Sequence, residues 1–442
     1  MQTKSFLFLL TIFGNIIILL LVTEYSVTFL KSMLFKRNTR QQILLEAFAV
    51  CEERKSVMFS LSEVASRVGI SKAAIFRHFK NKESLVDGME KMFWDDFAVY
   101  FNENASYFTC PESVSSSYKI FFSVMSGFIS FLLDNRGYFD MFYNLIITGS
   151  LEREKILQNL EERNIFYIKD FYTYFAEQQF FKSYFCVTSI IYFVSRRRMV
   201  LESKILDLET VEKTESNYEF IERIVSLLWN GISPMKDSIS EDRILELDSL
   251  CKEPEIKTDE SRFFKAFAEI FAEDGIKGIT VEKISERVNL AKSSLYSYFS
   301  NKTEFIEKMI VEEICSLTSF FKENVQHAKN LDELIYILLY SERKYLEIRP
   351  IVLMIHVWNI NNNYAAIKKS NAGFSEMRKF IEMMENKKFT TSEGFDLRNC
   401  IGWICAECGF LKIFLGNSHI NEVVNKIDYA KKLFALIKNG IK

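Results

Sequence analysis

Two short segments place cations, hydroxyls and small side chains around the opening turn of a predicted helix. In the first, Ser71, Lys72 and Ala73 precede Phe76, Arg77 and His78, with Lys82 a few residues on. In the second, Ala291, Lys292 and Ser293 precede Tyr296 and Tyr298, with Lys302 following at the same distance. Ammonium, guanidinium, imidazole and phenol groups donate to phosphate oxygens, and hydroxyls donate or accept at the edges of bases. Small residues beside them let a helix approach closely. A single helical turn with small and basic residues outward fits a major groove, and a lysine opening the next helix reaches the flanking phosphate.

The elements that must hold these groups are short helices. In the first segment Ile43, Leu44, Ala47 and Phe48 recur at helical spacing and form one apolar stripe. Ser60 with Glu63 predicts a capped start for a helix over Leu61–Val68. Gly69 supplies the left-handed residue of a tight turn, and Asn289 takes that place in the second segment. Ser71 then caps the next helix, whose inward positions are Ala74, Ile75 and Phe79.

The segments are copies. Residues 60–85 and 280–305 align without a gap at an offset of 220, with Arg67/Arg287, Val68/Val288, Lys72/Lys292, Phe79/Phe299, Asn81/Asn301 and Lys82/Lys302 identical. Leu227–Ile232 also matches Leu436–Ile441, each ending an amphipathic helix on Asn-Gly-Ile. A repeat of this length means two similar units in tandem.

Gly69 to Leu85 resembles the DNA-binding signature of the TetR family of regulators, and Asn289 to Phe305 resembles it again. The resemblance covers about 50 residues per copy; downstream, only length and helical character agree. It implies a three-helix reader followed by a divergent helical domain that binds an effector and dimerises through its last two helices. Position by position, it would put Ser71, Lys72, Ala73, Ala291, Lys292 and Ser293 at base edges. His78, Tyr296, Lys82 and Lys302 would then meet phosphates. Phe76 stands where a phenol is usual, and Ser297 and Tyr298 replace the Arg77–His78 pair.

Charge separates the copies. Residues 36–91 carry eleven basic and seven acidic side chains, net +4, whereas 259–308 carry eight and nine, net −1. Phosphate neutralisation supplies most non-specific affinity, so the first reader should grip DNA more strongly, leaving the second weaker or vestigial. Across the chain the net charge is −2, which excludes a protein that coats nucleic acid along its whole length.

The expected architecture is all-α. Only 15 glycines and 4 prolines in 442 residues cannot punctuate many strands. The domains are an apolar segment 1–35, a reader 36–91, a helical sensor 92–232, a linker 233–258 with room for one short helix, a second reader 259–309 and a second sensor 310–442. Asn135–Phe139 and Ile348–Ile351 are read as helix starts. Phe181–Leu201 and Arg398–Leu415, each followed by a final amphipathic helix, are the dimerisation pairs that the resemblance implies. They pair with each other as an intramolecular pseudo-dimer, or each with its copy in a homodimer.

Residues 5–23 carry no charge. Three readings of them stand: a membrane helix holding the chain on the inner face, an over-extended reading frame, or an apolar helix packed on the protein. Eight scattered cysteines without a framework spacing point to the cytosol. Cys405 and Cys408 lack the second ligand pair of a zinc site and are read as core; Glu407 is read as capping a polar gap ahead of orienting a ligand, and His356 and Trp358 fit a helical core and a pocket lining equally. Arg196–Arg198 is read as a solvated helix end. No phosphate loop, metal-protease motif or nucleophile elbow is present, so no enzyme activity, cofactor or metal is expected. The partners expected are a double-stranded DNA operator and a small, largely apolar effector, in a repressor. The rival reading is a membrane-tethered interaction protein built on the same scaffold.

Overall fold

The computed structural model describes residues 38–54, 59–104, 116–147, 153–163, 165, 180–202, 214–235, 237–254, 262–349, 371–392, 397–416 and 429–442. All regular structure among them is helical. The first reader holds α1 (Thr39–Arg54), α2 (Leu61–Val68), α3 (Lys72–Ile75) and the start of α4 (Lys82–Asn104). After it come α5 (Ser116–Asp134), α6 (Arg136–Ile147), α7 (Arg153–Glu162), α8 (Phe180–Glu202) and α9 (Asn217–Asn230). The second half holds α10 (Glu241–Leu250), α11 (Arg262–Gly278), α12 (Val281–Arg287), α13 (Lys292–Leu295), α14 (Lys302–Val325), α15 (Leu331–Ile348), α16 (Asn371–Asn386), α17 (Leu397–Gly416) and α18 (Tyr429–Asn439). The chain forms two compact units, up to Met92 and from Phe93 onward.

In the first unit the stripe of α1 is the core. Ile43, Leu44, Ala47 and Phe48 are buried with Val64 and Ala65 of α2, Ile75 of α3 and Leu85 and Met89 of α4. The Arg40 guanidinium lies over the Phe79 ring, 4.8 Å from its centroid.

The larger unit begins with an aromatic cluster. Phe93 stacks on Phe142 at 5.5 Å and meets Phe131 edge-on at 5.5 Å, while Phe97 meets Phe128 and Phe131. Such offset and edge-to-face pairs suit the ring quadrupoles. Helix α6 does start at Arg136, whereas Ile348 ends α15 and residues 350 and 351 lie outside the described set. The Arg196–Arg198 cluster corrects the expectation of a solvated end. Arg198 is buried against Asp140 at 3.3 Å and Arg197 against Glu215 at 3.6 Å, because both carboxylates fold onto the same stretch of α8. The polar stretch before the second reader is docked as well: Arg243 of α10 forks onto Glu333, and Tyr336 donates to Asp248.

The last helices of the two halves pack on each other within one chain. Helix α8 lies on α17, α9 on α18, and their ends exchange backbone hydrogen bonds reciprocally. Ile232 N–H donates to the Ile437 carbonyl at 3.0 Å, and Ile441 N–H donates to that of Leu228 at 3.0 Å. Ser233 and Lys442 add a second such pair, to Lys438 and Trp229. The close approach requires glycine on both sides. A Cβ on Gly231 would fall 2.2 Å from the Lys438 carbonyl oxygen, and one on Gly440 would fall 2.1 Å from that of Trp229. Both glycines have φ above 70°.

At the centre of this interface Glu407 of α17 is fully buried and reaches across to α8. Its carboxyl meets the Thr188 hydroxyl at 2.6 Å and the Ser189 hydroxyl at 2.9 Å, and accepts from the Trp403 indole at 3.0 Å. Glu407 thus fills a polar gap between the halves. Cys400 and Cys408 are buried beside it on the same helix, and burial pushes the Cys405 thiol up, as befits core residues. His356, Trp358 and the apolar segment 5–23 lie outside the described residues.

Among the described residues, Ser117–Asp134 of α5 is long and apolar enough to cross a bilayer. It packs on α9, with Phe121 and Trp229 rings 5.2 Å apart, as a bundle core helix does.

Candidate nucleic-acid interface

Each reader is assembled by its caps. In the first, the Ser60 hydroxyl accepts from the Glu63 N–H at 3.1 Å and opens α2. Gly69 then turns the chain at φ 76°. Ser71 accepts from the Ala74 N–H at 3.2 Å and opens α3, and Asn81 accepts from Ser84 at 2.8 Å to open α4. These satisfy amides that the first turn of a helix would otherwise leave without partners. Ile75 and Phe79 anchor α3 from below, so its other face turns to solvent.

That face presents Ser71, Lys72, Ala73, Phe76 and Arg77, all exposed, with His78 half-buried at its edge. Lys82 is half-buried and lies over the Phe59 ring, 5.1 Å from its centroid. Its ammonium faces that ring at the first turn of α4. Arg67 is committed elsewhere: it forks onto Glu53 at 2.5 and 2.9 Å, with Glu46 at 3.4 Å, so it braces α2 against α1.

The second reader repeats the geometry with two losses. Thr280 caps α12 by accepting from Lys283 N–H at 3.2 Å, and Asn289 takes the left-handed turn at φ 54°. Ala291, however, has no side-chain cap to offer α13. Ala291, Lys292, Ser293, Tyr296, Tyr298 and Lys302 are all exposed. Lys292 is held by Glu282 at 2.6 Å, a partner that spacing alone did not reveal. Tyr298 packs on Phe263 of α11 at 5.0 Å and its hydroxyl accepts from Arg262 at 3.3 Å, so part of its surface is used to seat α13.

One buried ion pair ties this reader to the helices behind it. Arg349, at the end of α15, forks onto Glu313 of α14 at 2.5 and 2.9 Å and lies over Phe264 of α11, 4.7 Å from the ring centroid. Both charges are almost fully buried.

A basic one-turn helix, capped at its start and presented by a second helix across a tight turn, defines a helix-turn-helix DNA reader. The chain carries that constellation twice, the second time without the side-chain cap. The family of bacterial regulatory proteins known as the tetR family matches residues 43–89 and again 264–309. The chain is also 21% identical over 323 residues to the uncharacterized HTH-type transcriptional regulator YxbF of Bacillus subtilis, covering 68% of this chain and 75% of that one. It is 21% identical over 171 residues to the nucleoid occlusion factor SlmA of Haemophilus ducreyi, covering 38% of this chain and 84% of that one. The two matched segments are therefore TetR-type helix-turn-helix regions in tandem, and the protein is a DNA-binding regulator by class.

Proposed function

We propose that the protein is an effector-responsive repressor that binds a double-stranded operator in the cytoplasm. The observation that carries the reading is the pair of exposed, basic one-turn helices at the same place in two copies of one motif. In it, Ser71, Lys72 and Ala73, and Ala291, Lys292 and Ser293, face base edges. His78, Lys82, Tyr296 and Lys302 meet phosphates, and Phe76, Arg77 and Tyr298 complete the DNA-facing surface. The two copies pair within one chain and differ in sequence, so the operator has unlike halves, and the +4 copy contributes more of the affinity.

The effector is small and largely apolar with a polar handle. Supporting this, the ring cluster of Phe93, Phe97, Phe128, Phe131 and Phe142 belongs to a sensor bundle that also buries the Trp94 indole N–H and the Ser126 hydroxyl without protein partners. Buried donors left in that state cost stability that a ligand acceptor restores. Ligand favours a conformation in which the readers no longer fit the grooves, and DNA is released.

The test is binding of the full chain to its own upstream DNA across a salt series, with Lys72→Ala and Lys292→Ala variants. Saturable, salt-sensitive binding that Lys72→Ala weakens strongly and Lys292→Ala weakens less is the expected result. Absence of any specific binding would refute the operator reading and favour an interaction scaffold.

A further inference from the structure

The readers differ at one position beside the recognition helix. The offset of 220 sets Ser62 against Glu282, each the second residue of its helix after the cap, and Lys72 against Lys292. In the second copy the Glu282 carboxylate lies 2.6 Å from the Lys292 ammonium, with both side chains about half exposed. Lys292 in turn holds the Glu282 carboxyl below its ordinary value. In the first copy a serine is too short to make this contact, and Lys72 is exposed with no ion pair to any described residue.

We propose that Glu282 sets the DNA affinity of the second reader by holding Lys292 in an ion pair on the face that meets DNA. This rests on the DNA-reading function above. A lysine already neutralised by a carboxylate offers DNA no net charge, and engaging it leaves a carboxylate next to the phosphate backbone. The pair is exposed and therefore weak, so DNA can displace it and Glu282 tunes the contact without abolishing it.

The test uses the full chain carrying Lys72→Ala, which weakens the first reader, and a random-sequence duplex as the probe. Glu282→Ser installs the residue of the first copy, where the same fold tolerates it. Freeing one cation at the DNA-facing surface should steepen the salt slope by about 0.9 and tighten binding about eightfold at 0.1 M salt. With Lys292→Ala also present, Glu282→Ser should relieve only the repulsion of the bare carboxylate and tighten binding clearly less. Equal tightening in that background would overturn the proposal in favour of general repulsion, and no tightening in either background would overturn it outright. A readout without DNA judges the pair itself: acetylation of Lys292 in the free chain, followed by peptide mass spectrometry. Glu282→Ser should raise its rate about threefold, and an unchanged rate would overturn the ion pair. Failure of every variant to bind the duplex would tell against DNA reading, while the acetylation rate would still decide the role of Glu282.

Discussion

Glu407→Gln should remove a pH dependence that the inter-half interface builds into the stability of the protein. Thr188 Oγ1 lies 2.6 Å from Glu407 and 3.0 Å from the Tyr184 carbonyl, and one hydroxyl proton cannot serve both. When Thr188 donates to the carbonyl, the short contact is made by a protonated Glu407. Burial favours the same state, raising this carboxyl from 4.5 to about 8 against the three hydrogen bonds that lower it. Burial pushes up Tyr184 and Cys186 nearby, and a charge on Glu407 would push them further. Between pH 4.5 and 8 the folded chain therefore keeps a proton that the unfolded chain has released, and stability falls as pH rises. The slope reaches about 1.4 kcal/mol per pH unit, accumulating about 3 kcal/mol by pH 7. Glutamine keeps an acceptor for Ser189 and Trp403 and a donor for Thr188, leaving one extra N–H at a cost of about 1 kcal/mol. Urea unfolding read by tryptophan fluorescence from pH 5 to 8 should show the curves crossing. The variant would be the less stable form at pH 5 and the more stable by about 2 kcal/mol at pH 7. Parallel curves would refute the reasoning, because they would mean that Glu407 titrates alike in both states.

Gly440→Ala combines a left-handed backbone with a Cβ 2.1 Å from the Trp229 carbonyl oxygen, and should cost about 3 kcal/mol in calorimetry; an unchanged Tm would contradict the clasp. Arg349→Ala strands Glu313 in the interior at a cost of about 3–5 kcal/mol, and adding Glu313→Leu should recover much of it. The caps predict opposite signs in the two readers. Ser71→Ala should destabilise by about 1 kcal/mol, whereas Ala291→Ser should stabilise by about 0.5–1 kcal/mol; equal effects would show that the caps are immaterial.

What the sequence disclosed and what it withheld divide by range. Ser60, Ser71, Gly69 and Asn289 act on neighbours three or four residues away, so residue type and spacing are enough to place them. The outward faces of α3 and α13 follow from the same local geometry. Lys292 is different: its partner lies ten residues back, across a turn, and only the packing of α12 on α13 brings them together. Arg197 and Arg198 read as a solvated cluster because their carboxylates, Glu215 and Asp140, are distant in sequence. Glu407 was recognisable as an anomaly in an apolar helix, but the hydroxyls that receive it are more than 200 residues away. The reciprocal match of Leu227–Ile232 with Leu436–Ile441 announced a repeat without announcing that the two ends touch.

That clasp has a consequence for biosynthesis. The strand-like exchange at Leu228–Ser233 is completed by residues 437–442, which leave the ribosome about 200 residues later. At roughly 5–20 residues per second, the apolar faces of α8 and α9 wait on the order of 10–40 s for their partners. During that interval a nascent chain displays the same surface as every other nascent chain on the message. Two such chains on one polysome can exchange halves, since the contacts within and between chains are identical. Slow translation through the second half would lengthen the interval in which such an exchange can occur.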